Sequence, residues 1–387
     1  MKTLRSGRNR RKWIYVLLLM GLLGLSGCGS PSSASVEMSS QTELVKTGSM
    51  ELQYAENFAV DYYEDGYKML ITLPDSKRYL LVPEGQPVPG GLDEDVSILQ
   101  EPLQNIYLVA SGVMDMFASV DAVDQIRFSG QKQENWYIQT AKDAMAAGDM
   151  IYAGKYSKPD YELLVSEGCD LAIENRMITH SPEVVEMLQG FDIPVMIEYS
   201  SYEQHPLGKV EWVKFFGALT GKEAEAEEAF AEQTEILEEV ESGEKTGKTI
   251  AFFYVTSNGL IQVRQSTDYI PKLIELAGGR YIFEDLEDSG SGRSTLNMQV
   301  EDFYAGAKDA DILIYNSSID GGVTTLDELI GKCNILKDFK AVQEGQVYCT
   351  TNDMYQQSMA IGYLLQDMHT VLTDDDTAKL RYLFLLQ

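Results

Sequence analysis

The side chains best suited to chemistry here are arginines, tyrosines and amides that fall just after short apolar segments, and the chemistry they suit is recognition. Ser111 and Met114 follow one such segment, Arg127 and Ser129 a second, Asn175, Arg176 and Met177 a third, and Tyr199 and Tyr202 a fourth. In the second half the corresponding places are held by Tyr254, Asn258 and Arg264, then Asn316, then Asn352 and Tyr355. Flat rings stack and guanidinium groups donate paired hydrogen bonds, so the set suits an amphipathic or anionic chelate. A ferric siderophore fits best. Arg127 and Arg264 stand out because cations are scarce: 31 Lys and Arg face 60 Asp and Glu.

Other chemistries are tested by the residues they need. His180, His205 and His369 are the only histidines, and His369 lies in a predicted terminal helix, Tyr363 to Leu372, away from any strand end. Three histidines with a carboxylate would hold bare zinc or manganese. His180 or Met177 would instead suit axial ligation of haem or a corrinoid cobalt. Besides Cys28 the thiols are Cys169, Cys333 and Cys349, without the paired spacing of a zinc site, so buried packing is expected of them. The sequence has no Gly-x-Ser-x-Gly elbow, no Gly-x-x-x-x-Gly-Lys-Ser/Thr loop and no His-Glu-x-x-His. The expectation is a binding protein, not an enzyme, with no cofactor of its own.

The elements that must position these groups begin with an export signal. Six cations from Lys2 to Lys12 precede an apolar run from Trp13 to Leu25, which is shorter than the ~17 to 25 residues of a spanning helix. Leu25-Ser26-Gly27-Cys28 at its end resembles the bacterial lipobox, which makes Cys28 the expected lipidated first residue of the mature chain. Residues 1–27 are read as the signal peptide. Residues 28–49, rich in Ser, Thr and Gly, read as a flexible tether. Loss of the leader's six cations takes the formal charge from -29 to -35, a poor surface for nucleic acid.

The chain beyond the tether exceeds the ~250 to 300 residues that one core usually supports, so two lobes are expected. Residues 50–100 open with a β-hairpin, Phe58 to Tyr63 and Lys68 to Leu73 about Glu64-Asp65-Gly66. From Ile106 short apolar strands alternate with helices: Ile106 to Val109, Gln125 to Phe128, Leu171 to Ile173 and Pro194 to Ile197. A second set comprises Thr249 to Val255, Ile312 to Tyr315 and Gln346 to Cys349. Alternation of this kind implies parallel sheets covered on both faces. The lobes are placed at 101–220 and 244–387. Between them, over 221–243, Ala226, Phe230, Gln233, Leu237 and Val240 recur at helical spacing and predict one long connecting helix. The fold class is α/β, two parallel-sheet lobes joined by that helix, with an N-terminal β-hairpin extension.

From Ile106 onward the segments resemble the iron-siderophore, haem and cobalamin class of ABC-transporter substrate-binding lipoproteins. The resemblance is carried by Pro159 to Leu164, Cys169 to Ile173 and Phe191 to Val195 in the first lobe. In the second it is carried by Leu273 to Gly279, Ala310 to Ile314 and Phe339 to Tyr348. It implies a rigid bilobed fold, a ligand cleft between the lobes, monomeric action, and delivery to a permease and its ATPase at the extracytoplasmic face of the membrane. Members of the class dock through one glutamate on each lobe, and Glu162 and Glu301 match those positions, with Asp302 a substitute for the second. A helix dipole alone also favours acidic residues in a first turn. Residues 50–100 lie outside the family's common core.

Overall fold

The computed structural model describes residues 44–286, 294–317, 322–374 and 377–387. Cys28, the apolar leader and most of the tether lie outside these residues. Lys46–Ser49, expected within the tether, is instead strand β1, paired antiparallel with β2 (Phe58–Tyr63). All four of its residues are exposed, which is why their composition reads as linker.

The expected hairpin, β2 with β3 (Lys68–Thr72), is the centre of a five-stranded sheet completed by β4 (Lys77–Val82) and β5 (Val96–Gln100). Alternation along β2, β3 and β4 gives this sheet two apolar faces. One, with Phe58, Val60, Leu70, Tyr79 and Leu81, joins the main core, and the other, with Tyr67, Met69, Leu80 and Val82, forms a small core of its own.

The first lobe is a parallel sheet in the order β12-β11-β6-β7-β8. Its strands are β6 (Ile106–Leu108), β7 (Ile126–Ser129), β8 (Ile151–Tyr152), β11 (Leu171–Asn175) and β12 (Val195–Glu198), with β9 (Gly154–Lys155) and β10 (Lys158–Pro159) as a separate pair. Helices α1 (Val113–Ser119), α2 (Gln139–Ala147), α3 (Tyr161–Ser166) and α4 (Pro182–Gly190) connect them.

The long helix expected between the lobes is α6 (Glu223–Glu241). It is preceded by α5 (Pro206–Thr220), from which Gly221, in the left-handed region at φ 73°, separates it. Fourteen of the fifteen residues of α5 are buried, so it shows no polar face and no amphipathic period. Trp212, Phe215 and Phe216 on α5 belong to one continuous buried cluster that runs from Phe58 of the N-terminal sheet to Ile250 and Phe252 of the second lobe.

The second lobe is a mixed sheet in the order β16-β14-β13-β17-β18-β19, with β15 also paired to β13. Parallel pairing joins β13 (Thr249–Val255), β17 (Ile312–Tyr315) and β18 (Val347–Thr350), while β14 (Ile261–Arg264), β16 (Thr295–Met298) and β19 (Leu383–Leu385) add antiparallel edges. The short β15 (Arg280–Tyr281) runs parallel to β13. Helices α7 (Tyr269–Leu276), α8 (Val300–Ala307), α9 (Leu326–Lys332), α10 (Lys340–Gln343) and α11 (Ile361–Thr373) complete it.

Hydrogen bonds stitch the lobes together. Gln356 accepts from Tyr137 N and donates to Asn135 O, both at 2.8 Å, and Asp115 of α1 accepts from Met359 N at 2.7 Å.

Candidate ligand cleft

Ligands of parallel α/β sheets collect at the carboxyl ends of the strands, because the loops there are free to carry function. At that end β6 runs into Ala110, Ser111 and Gly112, β11 into Asn175, Arg176 and Met177, and β12 into Glu198, Ser201 and Tyr202. All nine line a cavity of about 240 Å³, together with Lys209 of α5 and Tyr355 of the second lobe. Local chemistry holds these loops. Asn175 caps the turn after β11 by accepting from Met177 N at 2.9 Å, and Glu198 accepts from Ser200 N and Oγ at 2.8 and 2.6 Å.

A second cavity of about 360 Å³ shares Arg176, Ser201 and Tyr202 with the first and continues past Tyr199, Gln204, Thr267 and Asp268. A third, of about 370 Å³, shares Gln204, Thr267 and Asp268 with the second and reaches His205 and Lys272. The three are therefore lengths of one trough, which together fall in the size range of small-molecule sites.

Cations and aromatic rings meet in it. The Arg176 guanidinium lies 4.6 Å from the centre of the Tyr202 ring, and the buried Lys209 ammonium 4.8 Å from that of Tyr269. Burial pushes the Glu198 carboxyl above the usual range, and the charge of Lys209 opposes that shift. Asp115 is likewise pushed up to about 6 by burial, against its hydrogen bond from Met359 and the charge of Lys209. On the second-lobe wall the Tyr355 hydroxyl accepts from Arg264 and, at 2.7 Å, from Asn316. Arg264 also pairs with Asp268 at 3.3 Å, and Asp268 caps α7 by accepting from Ile270 N at 2.9 Å.

Of the residues singled out in the sequence, Ser111, Asn175, Met177, Tyr199, Tyr202 and Tyr355 line the trough, and Arg264 and Asn316 stand behind Tyr355. Others lie elsewhere. Arg127 donates to the Gly148 and Asp149 carbonyls at 2.8 Å each and pairs with Glu167, so its guanidinium is spent on the turn after α2. Ser129 is fully buried between Gln131 and the Trp136 indole, and Met114 sits in the core. Tyr254 packs 6.2 Å from Tyr315 on the outer face of the second sheet, Asn258 binds Thr256 in a turn, and Asn352 accepts from Ser317.

Lys209, Glu198 and Asp268 were not anticipated. Lys209 and its neighbours sit on a helix that the periodicity does not reveal.

The histidines do not converge. His205 accepts from Leu207 N as the cap of α5 and stacks on Tyr54, His369 on α11 has its Nδ1 2.9 Å from Ala277 O at the end of α7, and His180 closes the turn after β11. Among the described residues no group of three or more His, Cys, Asp or Glu is placed to hold a metal ion. Among the described residues Cys169, Cys333 and Cys349 form no disulfide; the last two are buried in the outer core of the second lobe, and burial pushes Cys169 up to about 12.

Two α/β lobes whose strand ends face a shared trough over a common buried helix define a two-lobed solute receptor. The chain belongs to the periplasmic binding protein family, which it matches over residues 112–354. It is 25% identical over 402 residues to the uncharacterized lipoprotein MJ0878 of Methanocaldococcus jannaschii, covering 93% of this chain and 92% of that one. In fold it is similar to an ABC-type Fe3+-hydroxamate transport system protein from Saccharomonospora viridis, with a TM-score of 0.54, 16% identity, and coverage of 70% of this chain and 93% of the other. The periplasmic heme-binding protein HutB of Vibrio cholerae gives a TM-score of 0.55 at 14% identity, covering 69% and 98%.

Proposed function

We propose that this chain is the lipid-anchored receptor of an ABC importer, which captures a ferric siderophore outside the membrane and passes it to a permease. The observation that carries the ligand class is the gathering of Arg176 and Lys209 with Tyr199, Tyr202 and Tyr355 along one trough. Cations donate charge-assisted hydrogen bonds to the electron-rich oxygens around ferric iron, and the rings cover the chelator's carbon skeleton. The likeness to a ferric hydroxamate transport protein points the same way. The lobe-to-lobe hydrogen bonds of Gln356 and Asp115 support binding with little closure.

The anchoring part rests on Cys28 and on a relative named as a lipoprotein. No helix among the described residues is long and apolar enough to cross a membrane. Docking is assigned to Glu162 and Glu301, which are exposed in the first turns of α3 and α8, one on each lobe.

A second reading, haem or a corrinoid, draws on Met177, whose soft thioether is 49% exposed at the trough. Isothermal titration of the mature protein against ferrioxamine B, haemin, cyanocobalamin and zinc separates these readings. Binding of the ferric hydroxamate is expected. Binding of haemin or cyanocobalamin alone overturns it in favour of the second reading, and zinc alone in favour of a bare-metal receptor. The Glu162→Ala, Glu301→Ala double variant should bind as wild type yet fail in uptake by cells, and normal uptake would sink the docking assignment.

A further inference from the structure

The N-terminal sheet lies before the family match, which begins at residue 112, yet it is fastened to the body as firmly as any core element. Five consecutive backbone N–H groups, Gln53 to Asn57, donate to two buried carboxylates. Glu211 of α5 takes those of Gln53, Tyr54 and Ala55 at 2.8 to 3.1 Å, and Glu203 takes those of Glu56 and Asn57 at 2.9 and 3.0 Å. Phe58 then packs edge-on against Trp212 and Phe215 of α5, and the Tyr79 hydroxyl donates to Val195 O in the first lobe at 2.8 Å. A segment held this way cannot swing aside without exposing two buried anions.

That fastening brings the sheet to the trough. Asn57 and Pro74 line its second cavity and Tyr54 and Glu56 its third, while Asp75, next to Pro74, lies by the Tyr199 hydroxyl. The lining chemistry changes along the way. The inner cavity carries the ammonium of Lys209, and Arg176 stands at its junction with the middle cavity, lining both. Beyond Arg176 the middle cavity is lined by Asn57, Pro74, Gln204 and Thr267, and its acidic members are already engaged: Glu203 by the strap, the Asn57 side-chain amide and the Trp212 indole, Asp268 by Arg264 and Ile270 N, so that Asn57 turns its amide oxygen to a ligand.

We propose that the N-terminal sheet is a third wall of the ligand cleft. Its Asn57 and Pro74 receive the uncharged, amide-bearing backbone of an elongated chelator whose oxygen-ligated ferric centre occupies the inner cavity. This rests on the ferric chelate reading and adds to it the shape of ligand selected. Neutral hydrogen-bonding groups recognise amides without demanding a counter-charge, and an isolated small chelate would leave this part of the trough unused.

The test compares two probes with the same hydroxamate-ligated iron, ferrioxamine B, whose hydroxamates are joined by an amide chain, and ferric acetohydroxamate, formed with ligand in excess and lacking that chain. Deleting the sheet would strand Glu203 and Glu211, so point variants are used. Pro74 is exposed, and Pro74→Trp adds bulk to the wall without entering a core; Asn57→Ala removes the amide. Each should weaken ferrioxamine B roughly five- to tenfold, the worth of one good hydrogen bond or a lost contact, with acetohydroxamate affinity unchanged; the thermal midpoint should hold for Pro74→Trp and fall for Asn57→Ala, which also takes a hydrogen bond from the buried Glu203. Equal weakening of both probes, or of neither, overturns the third wall while leaving the chelate receptor standing. Wild-type protein that binds neither probe overturns the chelate reading and the occupant assigned to this wall with it.

Discussion

Each lobe buries a carboxyl group beside the cleft, and the two are treated in opposite ways. Asp268 of the second lobe is paired with Arg264 and accepts from Ile270 N. Glu174 of the first lobe, one residue before the cleft residue Asn175, has no hydrogen-bond partner for either oxygen among the described residues. Burial raises the pKa of both, but only for Asp268 does a neighbouring cation pull it back. The difference extends to the walls. Arg264, Asp268, Tyr355 and Asn316 form a frame that is bonded before any ligand arrives, whereas Met177 and Tyr202 on the first-lobe side are 49% and 39% exposed. The second-lobe wall is preorganised down to its side chains; on the first lobe Asn175 and Glu198 hold the backbone, and the Met177 and Tyr202 side chains are left adaptable.

The largest effect should come from breaking the preorganised side. Arg264→Met leaves Asp268 buried without its cation and withdraws a donor from Tyr355, and loss of one member of a buried pair typically costs about 3–5 kcal/mol. Chemical denaturation should show a loss of that size. Arg264→Met with Asp268→Asn should recover most of it, because the uncompensated anion is the main cost. A single variant that loses less than about 1 kcal/mol would mean that the pair does not hold the frame.

Glu174 gives the reverse experiment and a smaller effect. Its carboxyl is pushed from 4.5 up to about 8 by burial, so the folded state holds its proton more tightly than the unfolded chain. The stability this confers is fully present below about pH 4.5 and is lost as pH rises toward about 8. Glu174→Gln stays neutral throughout. Its advantage over wild type should therefore grow between pH 5 and 8 to about 1–3 kcal/mol and then level off, read as thermal midpoints across that range. Parallel midpoint curves for the two proteins would show that Glu174 finds water or a partner and that the contrast between the lobes is weaker than the geometry implies.

How much of this was legible in the sequence depends on the physical role of each segment. β13 and β17 were found within their bounds because they are central strands, buried on both faces and apolar but for Thr249 at the start of β13. α6 was found because glutamates alternate with its buried Ala226, Phe230 and Leu237. α5 was not, since Lys209, Glu211 and Lys214 read as surface residues and are in fact buried, Lys209 over the Tyr269 ring, Glu211 against backbone N–H groups and Lys214 against Glu227, partners that only the fold supplies. The same limit applied to the cleft. Reading past strand ends reached Asn175, Tyr199, Tyr202 and Tyr355, but Arg127 is captured by the Gly148 and Asp149 carbonyls, a contact between segments twenty residues apart. Asn57 and Pro74 come from a sheet that local pattern showed only as a hairpin.

The smallest effect belongs to the adaptable wall and is the most direct test of it. Tyr202 is 39% exposed, and its one close partner of opposite character, the Arg176 guanidinium at 4.6 Å, needs only the face of the ring. Tyr202→Phe keeps that face and should leave ferrioxamine B affinity nearly unchanged. Tyr202→Ala removes it and should weaken binding by about 0.5–1.5 kcal/mol, the usual worth of an aromatic contact beyond its buried area. Because the ring lies at the surface, the melting temperature of Tyr202→Ala should match wild type. The outcome that breaks the comparison is a large drop in stability with unchanged affinity, since it would make Tyr202 part of a prebuilt frame like that of Arg264 and leave neither wall free to adapt.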